Sequence, residues 1–195
     1  MPRKIRRNFV RCTFGRKGSG KSYSIKQRLR KFRGSVCVWD TLSEYAGPAS
    51  DNPLPRAVLY RSVRELAIAS SQGKLAKQAV VQDRRDKFDA WCRWALAAGP
   101  RLLVIDEVNL YCGPSRGSEP LLELLRIGRH SCIDVEFAAR RPAEVHRDLT
   151  AQADELVFFR TVEPRDLEWC RAYCGEDFAR RLPKLAQYAS AKHTA

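Results

Sequence analysis

Short apolar runs alternate with amphipathic stretches along the 195 residues of the chain. The runs are rich in β-forming residues and have the length of single strands, whereas the stretches between them repeat apolar residues at helical spacing. This alternation predicts an α/β fold with a mostly parallel central sheet flanked by helices. Strands are predicted at residues 9–14, 35–40, 57–61, 79–82, 101–107, 132–138 and 156–159, and helices after the first strand and at 63–70, 84–98, 119–127 and 164–174. Gly128 is the predicted cap of the helix before it, Pro142 opens a further helix, and a short strand or a docked tail is expected after Leu182.

The loop after the first predicted strand has the pattern G-x-x-x-x-G-K-[ST] of a phosphate-binding P-loop. Its glycines allow successive backbone N–H groups to turn towards phosphates, while Lys21 would reach the β and γ oxygens and Ser22 would bind Mg²⁺. Ile25, Leu29 and Phe32 then recur at the spacing of a helix that packs on a sheet, so the motif has its required context. The predicted nucleotide-binding residues are Gly15, Arg16, Lys17, Gly18, Ser19, Gly20, Lys21 and Ser22.

A second decisive stretch lies about 85 residues later, where residues 101–107 form an apolar run that ends in two acids. This is the pattern of a Walker B strand, a central parallel strand that delivers carboxylates to its C-terminal end. Asp106 is predicted to hold Mg²⁺ through water, and Glu107 is predicted to activate the water that attacks the γ-phosphate. The adjacent pair favours a hydrolytic motor over a small-molecule kinase, which needs no water-activating acid there.

The length of the chain favours one domain spanning residues 1–195, with a basic N-terminal tail at 1–8 and a C-terminal tail at 183–195. The seven cysteines are scattered, and the closest pair, Cys170 and Cys174, has helical spacing rather than that of a zinc site. We therefore expect reduced thiols and, without a long apolar run, a soluble cytosolic protein without a membrane span.

Positive charge is concentrated at the start of the chain. The net charge is +14, and the first 39 residues contain 13 Lys or Arg and no Asp or Glu. The tail and the last turns of the first helix, which carry Arg28, Arg30, Lys31 and Arg33, are expected to form one basic patch opposite the nucleotide. Such a patch suits a partner with repeating negative charge, most obviously nucleic acid. The alternative is a solvated helix face whose cations suit the helix dipole.

Three segments in order resemble the FtsK/HerA superfamily of DNA-pumping ATPases, and most of all the small genome-packaging ATPases of tailless, membrane-containing viruses. They are residues 126–130 (RIGRH), 137–145 (FAARRPAEV) and 158–160 (FFR). The resemblance covers roughly residues 9–160. It implies a RecA-like (ASCE) P-loop NTPase fold and a ring of subunits.

The same resemblance assigns roles to three arginines. The family usually has a Gln before Arg-Pro that senses the γ-phosphate, and Arg140 stands at that position here, where its guanidinium would touch the phosphate as a charge. In these rings an arginine of one subunit completes the next subunit's site. Arg129 is the first candidate for this finger and Arg160 the second.

The resemblance thus implies an ATPase that uses ATP and Mg²⁺ to translocate double-stranded DNA into a viral capsid. The implied partners are double-stranded DNA, a homo-oligomeric ring (hexamer or pentamer), and capsid vertex or viral membrane proteins. The implied location is the host cytoplasm and the packaging vertex of the virion.

Three alternatives stay open at this point. One is the assembly or secretion ATPase of a filamentous phage, although such proteins usually carry a transmembrane segment. The second is a P-loop kinase acting on a small molecule, which Glu107 and the absence of an evident Arg-rich lid argue against. The third is a nucleotide switch that does not pump. Stimulation of turnover by DNA would separate them.

Overall fold

A computed structural model describes residues 8–194 and contains an eight-stranded sheet. The strands are β1 (Val10–Phe14), β2 (Val36–Trp39), β3 (Val58–Tyr60), β4 (Gln78–Val81), β5 (Leu102–Ile105), β6 (Asp134–Ala139), β7 (Glu155–Phe159) and β8 (Ser190–Thr194). The helices are α1 (Lys21–Lys31), α2 (Val63–Ser71), α3 (Phe88–Ala98), α4 (Glu119–Ser131), α5 (Arg147–Ala151), α6 (Pro164–Cys174) and α7 (Glu176–Arg181). Every strand predicted from the sequence is present, and the C-terminal segment adds β8.

The order of strands in the sheet is β3-β4-β2-β5-β6-β1-β7-β8. Strands β1 to β7 pair in parallel, and only β8 runs antiparallel, against β7, among the described residues. This confirms the predicted α/β fold with a mostly parallel sheet. Because the carboxyl ends of parallel strands share one edge, the loops after β1, β2, β5, β6 and β7 meet there; we call this the nucleotide edge.

Each face of the sheet has its own apolar cluster because side chains alternate along a strand. On one face, Ile25 and Leu29 of α1 pack with Val38 of β2. On the other face, the next residue of β2, Trp39, packs against Trp91 of α3 with 5.4 Å between ring centroids. Helices thus cover both faces, as a parallel sheet requires.

Helix α4 does not end at Gly128, as the sequence pattern predicts. It continues to Ser131 and ends where Cys132 adopts a left-handed conformation, with its N–H donating to the carbonyl of Gly128. A glycine inside a helix costs only about 1 kcal/mol relative to alanine, which is less than burying the leucines of α4 contributes. Residue 129, expected just beyond the cap, therefore lies in the last turn of α4.

Two further predictions of helices need correction. Pro142 opens only a single 3-10 turn (Pro142–Glu144), and the true helix, α5, follows it. Helix α7 was not predicted. It is short, and it follows Gly175, whose φ of 90° breaks the chain after α6. In both places a local change in backbone conformation separates two helical segments. Hydrophobic periodicity alone does not resolve these boundaries.

The predicted basic patch is smaller than the sequence suggests. Arg28 turns inward and pairs with the buried Glu136 of β6, so its charge is neutralised. Arg30 donates to Asn52 Oδ1 at 2.5 Å, while Lys31 and Arg33 are exposed. Residues 1–7, which carry most of the predicted N-terminal tail, lie outside the described residues. Across residues 8–194, none of the helices combines the length and the apolar character needed to cross a membrane.

Candidate nucleotide site

The P-loop joins β1 to α1 at the nucleotide edge, and its backbone explains two of its glycines. Gly20 immediately precedes α1 with a φ of 98°, a left-handed conformation that favours glycine. At Gly15 the constraint is space, because a Cβ atom there would lie 2.6 Å from Ser19 Oγ and 2.8 Å from Phe159 Cβ. The loop therefore closes tightly over the start of α1, whose N-terminal N–H groups have no helical partners and can bind an anion.

Lys21 is held inside this loop. Its Nζ donates to the carbonyl of Gly15 at 2.5 Å and to that of Arg16 at 3.4 Å, and its side chain is buried. Burial lowers the pKa of Lys21, and the carboxylates of Glu107 and Asp106 oppose that change. The ammonium group is thus positioned beside the acids of the neighbouring loop, and a phosphate could replace the carbonyls as its partner.

Asp106 directly follows β5 and is almost fully buried at 2% exposure. Burial, together with the negative charges of Glu44, Glu107 and Asp40, raises the pKa of Asp106 to about 7, and Lys21 opposes the rise. Its Oδ2 atom is buried with no hydrogen-bond partner among the described residues. An under-partnered carboxylate among other carboxylates is the environment that a cation relieves.

Glu107 turns the chain sharply at the end of the Walker B strand. It has φ 50° and ψ 50°, a left-handed conformation that is rare outside glycine and costs about 1 to 3 kcal/mol. The turn leads into a 3-10 turn at Val108–Leu110 and leaves the Glu107 carboxylate lining the cavity beside the P-loop. Strain of this kind persists where the surrounding structure enforces it, often at functional sites.

Arg140 follows β6, which lies between β1 and β5 in the sheet. Its Nε atom lies 3.3 Å from Oε2 of Glu107, and its side chain is 52% exposed. The residue predicted to touch the γ-phosphate therefore pairs with the predicted catalytic acid in this conformation. The strand order explains the contact, because it places the end of β6 between the P-loop and the Walker B acids.

The predicted site residues lie in three places, which are the cavity at the P-loop, the clefts beside it, and the opposite edge of the sheet. Lys17 to Ser22 line one cavity of about 470 Å³ with Glu107 and Arg140, while Asp106 lies buried beside it. Arg160 lines adjacent clefts with Arg16 and Lys17 and donates to the carbonyl of Pro183 at 3.1 Å.

The side chain of Arg129 lies outside the described residues. Its backbone belongs to the last turn of α4, next to Gly128, where a Cβ atom would lie 3.7 Å from Nδ2 of Asn8. Asn8 precedes β1, so this turn lies at the edge of the sheet opposite the nucleotide edge. Within one chain Arg129 is therefore remote from the P-loop.

Sequence reasoning missed two groups that the tertiary structure adds. Asp40, at the end of β2, accepts hydrogen bonds from the backbone N–H groups of Glu44 and Tyr45, each at 2.9 Å, and so places Glu44 beside the cavity. The second addition is Tyr188, which lines the same cavity from the segment before β8. The position of Asp40 after a strand was a usable signal, whereas nothing local marked Tyr188.

The residues present fit a magnesium ion. Ser22 lines the cavity and is half-buried, and the orphaned Oδ2 of Asp106 is the kind of hard oxygen that Mg²⁺ prefers. The carboxylates of Asp40 and Glu44 add to the negative field that raises the pKa of Asp106. Ser22 and Asp106 therefore remain the predicted ligands.

Comparisons with known proteins agree with this fold. The genome packaging NTPase B204 of Sulfolobus turreted icosahedral virus 2, solved with ATP-gammaS, is 23% identical, with 96% of this chain and 92% of that chain covered at a TM-score of 0.78. EssC (ATPases 2 and 3) of Geobacillus thermodenitrificans is 13% identical, with 86% and 34% covered and a TM-score of 0.56. No family model matches the chain.

One curated relative is also similar in sequence. Protein P9 of Pseudoalteromonas phage PM2 is 23% identical over 152 residues, which span 75% of this chain and 66% of that protein. Structural likeness at this level of identity carries the fold. The predicted resemblance to viral packaging NTPases is confirmed, and the chain has the fold of a P-loop NTPase with its Walker motifs on one edge of the sheet.

Proposed function

We propose that the chain is an ATP-hydrolysing motor that translocates double-stranded DNA during viral genome packaging. The observation that supports this most strongly is the meeting of Lys21, Asp106, Glu107 and Arg140 around one cavity at the P-loop. The viral NTPase B204, which shares the fold, has been solved with ATP-gammaS and is described as a genome packaging enzyme.

The reaction is the attack of water on the γ-phosphorus, which breaks the bond to the β–γ bridging oxygen and yields ADP and inorganic phosphate. Backbone N–H groups of residues 15–22 and the ammonium of Lys21 bind the phosphates. The carboxylate of Glu107 orients the water and accepts its proton. Mg²⁺ held by Ser22 and Asp106 would neutralise negative charge on the phosphate oxygens.

Arg140 has two anionic partners available in this scheme. It pairs with Glu107 at 3.3 Å and lines the cavity in which the γ-phosphate would lie. Its guanidinium could thus hold the acid in position and add positive charge beside the transferred phosphoryl group. This is the chemistry expected when arginine replaces the usual neutral sensor.

We infer a ring of subunits with DNA passing through it. Arg129 lies at the edge opposite its own P-loop, so any contact that it makes with a nucleotide would be with that of a neighbouring subunit. Arg160 is the second candidate for this role. The exposed Arg116, in the loop before α4, and the exposed Lys31 and Arg33 are candidate DNA contacts. We also propose that the protein acts in the host cytoplasm and at the packaging vertex of the virion, where its partners are capsid or viral membrane proteins.

The test is the steady-state rate of ATP hydrolysis with and without long double-stranded DNA, at two salt concentrations, with Glu107→Gln as the control. We expect stimulation by duplex DNA that weakens as the salt concentration rises. The reason is that the logarithm of the DNA-binding constant falls against the logarithm of salt concentration with a slope of about −0.9 for each neutralised phosphate. Single-stranded DNA of equal length should stimulate less. If the assembled ring hydrolysed ATP at the same rate with and without duplex DNA, that result would contradict the motor and favour a small-molecule kinase or a nucleotide switch.

A further inference from the structure

Two exposed tyrosines line an open cleft beside the P-loop. The cleft has a volume of about 540 Å³ and a mostly apolar lining of Gly20, Tyr23, Ser24, Gln27, Phe159 and Tyr188. Tyr23 is 58% exposed and Tyr188 is 65% exposed, although both side chains are large and apolar over most of their surface. Exposed aromatic rings that line a cleft are suited to a flat apolar ligand.

The ring of Tyr188 lies against the P-loop itself. A Cβ atom built on Gly20 would lie 3.2 Å from Cδ1 of Tyr188 and 3.4 Å from Cε1 of Phe159. Tyr188 and Tyr23 also line the cavity that holds Lys21 and Ser22, so the apolar cleft and the phosphate cavity share both tyrosines. A ligand whose phosphates lie in the P-loop would therefore extend from the loop towards the tyrosines.

The backbone holds Tyr188 in place at some energetic cost. Its φ is 65°, a left-handed conformation that is unfavourable for an aromatic residue. The turn is closed by the N–H of Ala189, which donates to the carbonyl of Ala186 at 3.1 Å. Two residues after Tyr188 the chain enters β8, where Ser190 pairs with Phe159 of β7. The antiparallel strand thus fixes the tyrosine over the loop.

We propose that Tyr188, with Tyr23 lining the same cleft, forms the platform on which the base of the nucleotide stacks. The proposal rests on the proposed function, because it requires that residues 15–22 bind the phosphates. A nucleoside triphosphate places its base at the far end from its γ-phosphate, and the cleft opens beside Gly20, the last residue of the loop before α1. Stacking of a base on an aromatic ring contributes about 1 to 3 kcal/mol.

The cleft also indicates how selective this site is. Its polar side-chain groups are the hydroxyls of Tyr23, Ser24 and Tyr188 and the amide of Gln27. Hydroxyls and amides can each donate or accept a hydrogen bond, so they reject neither purine. The structure thus assigns recognition to the face of the base rather than to its edge. We expect ATP and GTP to bind with dissociation constants within about tenfold of each other.

The test is calorimetric titration of ADP and of inorganic triphosphate, which has no base, into the full chain. In Tyr188→Ala, we expect ADP to bind about 10- to 100-fold more weakly, and triphosphate to bind as it does to the unchanged protein. Tyr188→Phe keeps the ring and should retain ADP affinity. Tyr173→Ala removes another exposed tyrosine, which lies on α6, is 52% exposed and stacks on Trp169, and it serves as the control.

Three outcomes overturn the inference. Equal weakening of ADP and triphosphate in Tyr188→Ala would mean that the ring only supports the P-loop. Unchanged ADP affinity would mean that the platform serves another surface, such as a second copy of the chain or a nucleic acid base. A preference for ATP over GTP beyond 100-fold would contradict recognition by the face alone. The variant Lys21→Ala distinguishes failure of the proposed phosphate site, because it should bind both ADP and triphosphate more weakly.

Discussion

The buried carboxylates at the two edges of the sheet have different surroundings. At the edge where the strands begin, the buried Glu136 pairs with both Arg28 and Arg11, and Asp154 accepts the N–H of Val10 at 2.8 Å. At the nucleotide edge, Asp106 is equally buried but surrounded by other carboxylates, with one oxygen left unpartnered among the described residues.

The same contrast is visible in the pKa values. Burial raises the pKa of Glu155, but Arg11 and Lys192 outweigh it and leave the pKa below its usual value. Burial and neighbouring acids instead raise the pKa of Asp106 to about 7. Fully paired charges stabilise the fold, whereas under-paired charges mark the edge where a ligand with its own charge is expected. The following experiments break or sharpen this contrast.

The largest effect is expected at the nucleotide edge from Glu107→Gln. The amide keeps the shape of the side chain but cannot accept a proton from water, so kcat for ATP should fall by about 10²- to 10⁴-fold. ADP affinity and the melting temperature should change little. The measurement is steady-state hydrolysis together with a thermal melt. A variant that hydrolyses ATP normally would remove Glu107 from the proposed mechanism.

Arg28→Ala should have the largest effect at the other edge. Among the described residues it leaves the buried Glu136 with one cationic partner, Arg11, whose Nη1 lies 3.7 Å away, and with the Thr13 hydroxyl at 3.5 Å. We therefore expect the free energy of unfolding to fall by about 3 kcal/mol. Urea denaturation measures this loss. Lys31→Ala, an exposed change on the same helix, should stay within about 0.5 kcal/mol. Equal stability of the two variants would show that the buried pair contributes nothing.

Asp106→Asn is expected to stabilise the nucleotide-free protein at high pH. The folded-state pKa is raised to about 7, so this group favours the fold below the pKa of the unfolded chain and loses that contribution as pH rises through 7. The free energy of unfolding of the variant should therefore exceed that of the unchanged protein by about 4 kcal/mol at pH 8 and by about 2 kcal/mol at pH 5.

Melting temperatures at the two pH values give this comparison, with the exposed Asp177→Asn as control. A stability difference that does not change between pH 5 and pH 8 would contradict the raised pKa. The same variant should bind nucleotide with Mg²⁺ more weakly, because it lacks a proposed metal ligand.

Arg140→Ala is expected to have the smallest effect, a fall in kcat of about tenfold at saturating ATP, because Glu107 loses its partner at 3.3 Å and the phosphate loses a nearby charge. Arg140→Lys should recover part of the rate, since it restores the charge without the planar guanidinium. Single-turnover kinetics locate the change in the chemical step. A rate above that of the unchanged protein would mean that the pair restrains Glu107 instead of positioning it.

Local chemistry explains what could be predicted from the sequence. Helix α6 has the predicted bounds because its signals are neighbours: Pro164 opens it, and the side chain of Glu163 accepts the N–H of Asp166 at 2.9 Å. The P-loop and the Walker B strand were recognisable because phosphate and metal binding need particular residues at fixed spacing. Their meeting at one edge followed from chain direction in a parallel sheet.

Long-range contacts explain what could not be predicted. Arg28 and Glu136 are 108 positions apart, and nothing in the sequence signals that the two pair, so the basic patch was overestimated. The end of α4 depends on the packing of its leucines rather than on Gly128. Tyr188 lies in a segment with weak periodicity and reaches the P-loop only because β8 pairs with β7.

The sequence by itself therefore determined the fold class, the P-loop, the Walker B acids and the edge on which they meet, because spacing and strand direction are properties of the chain. Only the tertiary structure decided which charges are paired, that Arg140 contacts Glu107, and that a tyrosine lies over the P-loop. These depend on packing between elements distant in sequence, and pairing of charges is a matter of a few ångströms that no local pattern encodes.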